Sequence, residues 1–344
     1  MTDLKSLTLP EMTAFLQSLG EPAFRGRQVF TWLHRGVTDF DGMTNLSKSL
    51  REKLKETCFI TAPQVARKQV SRLDGTIKYL WELGDGNCIE TVLMRYRHGN
   101  SVCISSQVGC AMGCAFCAST VGGRVRNLTA GELLDQVIFT QKDSGVPISN
   151  IVLMGIGEPL DNYDNVIRFL RMISDENGLN ISQRNITVST CGLVPRIRDL
   201  AKEDLQITLA LSLHASSQEK RLELMPVAKA YEIHEVVEAL RDYFEETGRR
   251  VTFEYSLVAG VNDSEEDAKQ LSELIRGINC HVNLIPVNPI KERDFVQPDG
   301  KAVQEFKNKL EKCRINVTIR REMGRDIDGA CGQLRKRYSE RQDS

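Results

Sequence analysis

The sequence predicts an α/β fold: a partial (β/α) barrel, preceded by an N-terminal helical domain and a small antiparallel β extension. Three observations predict it. Over residues 1–60 apolar residues recur at helical spacing, and over 61–98 they fall in short alternating runs broken by glycine turns. From residue 99 onward strand-like runs alternate with amphipathic helices. With 41% hydrophobic and 26% charged residues in a chain of 344, disordered and fibrous classes are excluded.

In the N-terminal domain, Leu9-Pro10-Glu11 opens a helix running towards Leu19, and Gly20 stops it. A second amphipathic stretch runs from Arg25 through Val29, Phe30 and Leu33. A third, 47–55, carries Leu50 and Leu54 on one face. Runs at 65–70, 77–83 and 88–94 are separated by Asp74-Gly75 and by Gly84-Asp85-Gly86-Asn87, which predicts antiparallel hairpins over 61–98. The barrel is expected over 99–322. Its strands are expected at 102–105, 151–154, 186–189, 207–212, 252–257, 282–285 and 317–320. Helices at 129–142, 163–175, 233–247, 264–276 and 303–312 fill most intervals. Thr129 and Glu132 form a capping box at the start of the first. Such βα units wind right-handedly and put their chemistry at the carboxyl ends of the strands. Residues 323–344 form a C-terminal loop and a basic tail.

Charge narrows the partners. Lys and Arg number 45 against 46 Asp and Glu, a net of −1, so any nucleic-acid surface must be local. Ten cysteines are too sparse for a disulfide scaffold. In a reducing compartment they read as metal ligands, catalytic thiols or small buried hydrophobes. No apolar run approaches the roughly 18 residues of a membrane span. Met1-Thr-Asp-Leu-Lys5 is too polar for a secretory signal, so a cytoplasmic chain with no membrane partner is expected.

The cysteines are unevenly spread. Cys110-Ala-Met-Gly-Cys114-Ala-Phe-Cys117 follows the first barrel strand, with three thiols wrapped around Gly113. Zinc sites usually gather two separated ligand pairs, and no second pair exists here. A [4Fe–4S] cluster wants a thiolate at each iron, so three ligands leave one iron open to a substrate. The spacing resembles that of the radical S-adenosylmethionine (SAM) superfamily, in which the open iron holds the amino and carboxylate groups of SAM. Downstream strand ends carry small and polar groups. Gly155-Ile-Gly157-Glu158-Pro159-Leu160 offers backbone groups and a carboxylate for the SAM ammonium. Ser189, Ser212, Leu213, His214 and Asn288 line the rim where a nucleoside would lie.

Taken together, the chain resembles the RlmN/Cfr family of radical SAM RNA methyltransferases. The likeness rests on 103–117, 155–160, Ser212-Leu-His214, Leu224-Met-Pro226, 281–286 and 326–334, spanning nearly everything after residue 90. Pro159 fits the RlmN branch, which methylates adenine C2 in 23S rRNA and in certain tRNAs. The alternative is the Cfr branch, which methylates C8 of the same rRNA adenine and tends to Ala at that place. The resemblance implies that Cys331 takes a methyl group from one SAM by polar displacement. A second SAM, cleaved at the cluster, gives a 5′-deoxyadenosyl radical that strips hydrogen from the S-methyl group. The methylene radical then adds to adenine C2. It further implies Glu90 as proton acceptor, and Cys103 as the thiol that resolves the enzyme–RNA adduct through a transient disulfide with Cys331. Read locally, Cys103 is a buried small hydrophobe and Glu90 an exposed strand carboxylate. Cys331, in a glycine-flanked loop, favours a reactive thiol. Cys58, Cys88, Cys191, Cys280 and Cys313 read as packing residues. Cys191 stands where the family usually has Ser, and Gly329 where Ala is common.

RNA contact is expected from the basic and aromatic stretch 24–35, which holds Phe24, Arg25, Arg27, Phe30, Trp32 and Arg35, and from Arg320, Arg321, Arg325, Arg335, Lys336 and Arg337. The family's helical N-terminal domain, similar to a helix-hairpin-helix unit, supports this. An adenine must leave its stack to reach a barrel mouth, which favours loops over intact duplex. The resemblance also implies an electron donor such as flavodoxin or ferredoxin, and nothing argues against a monomer. Two rivals stay open at this level: a radical SAM enzyme acting on a small molecule or protein, and an Fe–S or zinc RNA-binding protein without turnover.

Overall fold

In a computed structural model, which describes residues 1–97, 99–287, 295–327 and 334, the chain starts with a short strand and three helices. These are β1 (Thr2–Asp3), α1 (Leu9–Ser18), α2 (Phe24–His34) and α3 (Lys48–Thr57). Pro10 sits in the first turn of α1, and the Glu11 carboxylate accepts from the Thr8 N–H at 2.8 Å. Ser47 caps α3, accepting from the Leu50 N–H at 3.2 Å. Met12, Leu16, Val29, Phe30, Leu33, Leu50 and Leu54 close the core of this unit. β2 (Cys58–Phe59) pairs with β1. The buried Lys5 ammonium pairs with Asp135 and donates to the Thr61 carbonyl at 2.7 Å, seating the N-terminal segment on the first barrel helix.

An antiparallel meander follows, made of β3 (Gln64–Val70), β4 (Ile77–Glu82), β5 (Cys88–Tyr96) and β6 (Gly99–Cys103). Then come β7 (Gln107–Gly109), β8 (Arg124–Asn127), α4 (Ala130–Ser144), β9 (Asn150–Leu153), α5 (Tyr163–Ile173) and β10 (Ile186–Thr190). The chain continues through α6 (Val194–Ala201), β11 (Thr208–Ser212), α7 (Gln218–Leu224), α8 (Ile233–Thr247) and β12 (Val251–Leu257). It closes with α9 (Glu265–Leu274), β13 (Cys280–Pro286), α10 (Gly300–Lys312) and β14 (Asn316–Ile319).

Ten strands share one sheet, in the order β14-β13-β12-β11-β10-β9-β6-β5-β4-β3. The stretch from β6 to β14 is parallel, so β6 is the hinge between the two halves: antiparallel to β5, parallel to β9. Among the described residues β3 and β14 remain edges, which makes the barrel a partial one. The antiparallel extension therefore continues the barrel sheet directly. That continuity was not legible in the sequence, because a strand's pattern does not say which neighbour it pairs with. The β7–β8 hairpin and the short helices α6 and α7 were also missed, each being too short to show a period.

Side chains alternate along the strands. On β12 Val251, Phe253, Tyr255 and Leu257 join the main apolar core, while Thr252, Glu254 and Ser256 take the opposite face. Among the described residues no helix is long and apolar enough to cross a membrane.

Candidate active site at the carboxyl ends of the strands

The cysteine turn is built on the β7–β8 hairpin. At Gly109 the backbone has φ +75°, and a Cβ there would lie 2.0 Å from the Gly123 carbonyl oxygen, so only glycine lets the two strands approach. The Cys110 N–H donates to that same carbonyl at 3.1 Å. On the far side the Ala115 N–H donates to Leu224 O at 2.8 Å, tying the turn to the end of α7. Cys117 N–H bonds Cys114 O at 3.2 Å, and Thr120 Oγ1 donates to Cys117 O at 2.9 Å.

Burial pushes the Cys110 thiol up to about 11 and holds Cys114 higher still, with the neighbouring thiols and Glu158 adding to the rise. The three thiols thus feel one another as neighbours. Among the described residues, no three His, Cys, Asp or Glu side chains converge into a set that could hold a metal ion as they stand. One nearby group opposes the rise at Cys114: the guanidinium of Arg221 on α7, itself buried and with its Nε unpartnered. A donor set of three thiols beside a buried cation suits a centre that is negatively charged once thiolates hold it.

Past β9, the 155–158 loop threads against the end of β6. A Cβ at Gly155 would meet Ile104 O at 2.6 Å. At Gly157 (φ +108°) it would meet Gln107 Cβ at 2.6 Å. Gln107 Oε1 accepts from the Glu158 N–H at 2.9 Å, while Gln107 Nε2 donates to Asn127 and Asp161. Glu158 is 4% exposed, and burial raises its carboxyl despite two backbone donors. Those donors are Leu160 N–H at 3.1 Å and Cys191 N–H at 2.8 Å, so the carboxylate braces the ends of β9 and β10 together.

The hydroxyls of Ser189 and Ser212, on adjacent strands, lie 3.3 Å apart. Leu213 is fully buried. His214 has a left-handed backbone (φ +56°), with its carbonyl held by Asn262 Nδ2 at 2.8 Å. Its Nδ1 accepts from the Ser256 N–H at 2.9 Å, so the neutral ring carries its proton on Nε2. Burial depresses this imidazole to about 3. The ring meets Phe116 of the cysteine turn edge-on, with centroids 4.7 Å apart. Cys191 packs beside Cys114, Phe116 and Met225. Sequence patterning missed Glu254, a buried carboxylate on β12 that accepts from Asn283 Nδ2 at 2.8 Å.

A second group lies on the antiparallel half. Register pairs Glu90 with Leu80 and Cys103 with Val92, so Lys78, Glu90, Val92 and Cys103 share one face. Cys103 is 4% exposed and packs with Val92, Met94 and Met323. The Lys78 ammonium is 3.0 Å from Glu90 Oε2. Lys78 was also missed, because nothing in the sequence marks a lysine in a strand as buried. The chain after β14 is pinned to the turn between β3 and β4: the Gly324 N–H donates to Asp74 at 2.9 Å, and Asp326 accepts from Ser71 and from the Arg72 N–H at 2.6 and 2.8 Å. Asn288, Cys331 and the basic residues Arg335, Lys336 and Arg337 lie outside the described residues.

Along α2 and its C-cap the basic and aromatic residues divide. Phe30 and His34 are buried with their rings tilted against each other, while Phe24 is 57% exposed with Arg25 over its ring at 4.9 Å, and Arg27 and Arg35 are exposed.

Comparison with known proteins adds to this geometry. Residues 2–60 match the family model described as the ribosomal RNA large subunit methyltransferase N-terminal domain, and residues 104–271 match the radical SAM superfamily. The chain is 60% identical over 341 residues to the probable dual-specificity RNA methyltransferase RlmN of Lachnospira eligens, covering 99% of this chain and 97% of the relative. It is equally 60% identical to the protein so named in Lachnoclostridium phytofermentans, over 98% and 96% of the two chains. Among solved structures, a radical SAM methyltransferase from Sphaerobacter thermophilus superposes with a TM-score of 0.91 at 46% identity, covering 97% of this chain and 99% of that one.

Proposed function

The chain belongs to the RlmN family of radical SAM RNA methyltransferases, and from that premise we infer that it methylates C2 of an adenine in 23S rRNA and in tRNA through an S-methylcysteine intermediate. The observation that carries the reading is the three-cysteine turn held between the β7–β8 hairpin and the end of α7, with Phe116 against His214 just past β11, within a chain so similar to dual-specificity relatives along its whole length. Dual specificity for two kinds of RNA favours this over C8 methylation of rRNA alone.

Cys110, Cys114 and Cys117 would hold a [4Fe–4S] cluster, and the fit rests on three neighbouring thiols beside a buried guanidinium whose Nε has no partner. When bound, the cluster supplies the electron for reductive cleavage of SAM. The chain's own residues do the rest. Gly157 and Glu158 present the loop that receives the amino-acid end of SAM. Ser189, Ser212, Leu213, His214 and Asn288 bound the nucleoside. The imidazole of His214 is neutral and aims an N–H donor, since burial keeps it unprotonated.

Adenine C2 is electron-poor and will not attack a sulfonium methyl, whereas a thiolate will. The Cys331 thiolate forms the new S–CH3 bond as the sulfonium–CH3 bond breaks, releasing S-adenosylhomocysteine. Glu90 takes the C2 proton once the carbon is joined, and Lys78 supplies the counter-charge that a buried carboxylate needs. Cys103 resolves the adduct by attacking the Cys331 sulfur. The S–S bond forms as the S–CH2 bond breaks, and the electron pair leaves with the methylene, which takes up a proton to become the methyl group. An external reductant returns the disulfide to two thiols. Support for this grouping is that Glu90 and Cys103 share a sheet face on which Met323 packs, in the segment leading to Cys331 that Gly324 and Asp326 pin to the β3–β4 turn. The RNA is held in part by Phe24, Arg25, Arg27 and Arg35. The reaction needs an external electron donor such as flavodoxin or ferredoxin. A monomer in the cytoplasm accounts for the residues assigned, all of which come from one chain.

Nucleoside mass spectrometry of 23S rRNA and tRNA, from cells with and without the protein, tests the reading. We expect 2-methyladenosine in both RNAs to depend on it. Appearance of 8-methyladenosine alone would overturn the assignment.

A further inference from the structure

We propose that Arg221 is a positioning residue for the iron–sulfur cluster, the fixed positive charge that offsets its thiolate ligands and raises its reduction potential. The proposal rests on reading Cys110, Cys114 and Cys117 as the cluster's ligands. It starts from an imbalance in the protein itself.

Three cations among the described residues are fully shielded from solvent: Lys5, Lys78 and Arg221. Two have carboxylate partners, Lys5 with Asp135 and Lys78 with Glu90. Arg221 has none. Its Nη2 donates to the Cys191 carbonyl at 2.6 Å, its Nη1 reaches the Tyr231 carbonyl at 3.4 Å, and its Nε has no partner. A buried charge without a counter-charge is strongly destabilising, and a neutral donor would satisfy the same carbonyls without that cost. The ionisable groups nearest Arg221 are sulfurs: it is bonded to the Cys191 carbonyl, and Cys191 packs against Cys114 of the turn. The missing counter-charge is therefore expected from the cysteine turn, when its sulfurs are ionised around a metal centre.

Local structure keeps the two together. Arg221 lies on α7, and the Leu224 carbonyl at the end of that helix accepts from Ala115 within the turn. A Cβ at Gly113 would lie 3.3 Å from Pro226 Cγ, so the turn sits directly on the residues that follow α7. Arg221 and Glu158 also grip opposite ends of one residue: Glu158 accepts from the Cys191 N–H while Arg221 donates to the Cys191 carbonyl. A cluster gains negative charge on reduction, so a fixed cation stabilises the reduced form more than the oxidised one. Net charge and hydrogen bonding around the sulfurs are established determinants of cluster potential.

The test uses the full chain, reconstituted with iron and sulfide without oxygen, as wild type, Arg221→Gln and Arg221→Lys. Iron and sulfide content are measured first, then the midpoint potential by redox titration followed by electron paramagnetic resonance. We expect Arg221→Gln to shift the reduction equilibrium about tenfold or more towards the oxidised cluster, about 59 mV lower for a one-electron couple. Arg221→Lys, which keeps the charge, should stay near the wild-type potential. Equal potentials in wild type and Arg221→Gln would overturn the proposal, as would equal shifts in both variants. Should neither variant take up a cluster, thermal unfolding of the metal-free chains decides. Removing a buried charge that has no counter-charge while keeping a donor leaves the Tm of metal-free Arg221→Gln unchanged or higher, whereas a purely structural arginine predicts a lower one. A wild-type chain that takes up no iron would instead refute the reading on which the proposal rests.

Discussion

The ammonium of Lys78 lies 3.0 Å from Oε2 of Glu90, and both side chains are buried on the sheet face that carries Cys103. Buried ion pairs of this kind stabilise little in themselves, but breaking one by removing a single partner typically costs about 3–5 kcal/mol. Lys78→Met should therefore lower stability by about that amount, measured by urea unfolding. The double variant Lys78→Met/Glu90→Leu should recover most of the loss. Glu90→Gln should slow RNA methylation about 100-fold while iron content is unchanged. If the double variant methylates RNA at the wild-type rate, the pair is structural and Glu90 is no proton acceptor.

The cysteine assignments separate by what each variant loses. Cys110→Ala, Cys114→Ala and Cys117→Ala should each fail to hold iron after anaerobic reconstitution. Cys331→Ala and Cys103→Ala should keep iron and cleave SAM, yet release no methylated RNA. Cys191→Ser should keep both iron and activity, because Cys191 packs beside the turn without belonging to it. Full methylation by Cys331→Ala would remove the S-methylcysteine intermediate from the account.

Gly157 has φ +108°, and a Cβ would fall 2.7 Å from the Gln107 backbone nitrogen as well as against its side chain. Gly157→Ala must move one loop or the other. We expect about 1–3 kcal/mol of lost stability together with weakened SAM binding, read by thermal unfolding and equilibrium dialysis. Undiminished SAM affinity would show that the loop does not receive it.

Acid sensitivity follows from His34, buried against Phe30 and depressed by that burial to about 4. The unfolded chain takes up this proton near the ordinary histidine value of about 6.5, while the folded chain refuses it until about pH 4. Stability therefore falls as pH drops through that window, by up to about 1.4 kcal/mol per pH unit from this group. His214 acts in the same direction. His34→Phe should flatten the slope of unfolding free energy against pH between about 4 and 6.5. A variant with the wild-type slope would rule His34 out as the source.

What was legible in advance had a local cause. Cys110, Cys114 and Cys117 stand out by spacing alone. Thr129 and Glu132 mark a helix start because a capping box is completed within four residues, and Thr129 does accept from the Glu132 N–H at 3.2 Å. The strands from β9 to β14 announced themselves as apolar runs, within one or two residues of their ends. Lys78, Arg221 and Glu254 gave no signal. A lysine or glutamate in a strand, or an arginine on a short helix, is ordinarily solvated, and its burial depends on what packs over it.

By itself, then, the sequence determined the βα order, the ligand spacing of the cysteine turn and the glycines that let loops approach closely. Each depends on residues a few positions apart. Only the tertiary structure decided that the antiparallel meander continues the barrel through β6, that Glu158 braces β10 through the Cys191 N–H, and that Arg221 is buried beside the thiols with no carboxylate partner among the described residues. Those are long-range outcomes, set by which elements meet and how much water they exclude, and charge burial has no signature until the neighbours are in place.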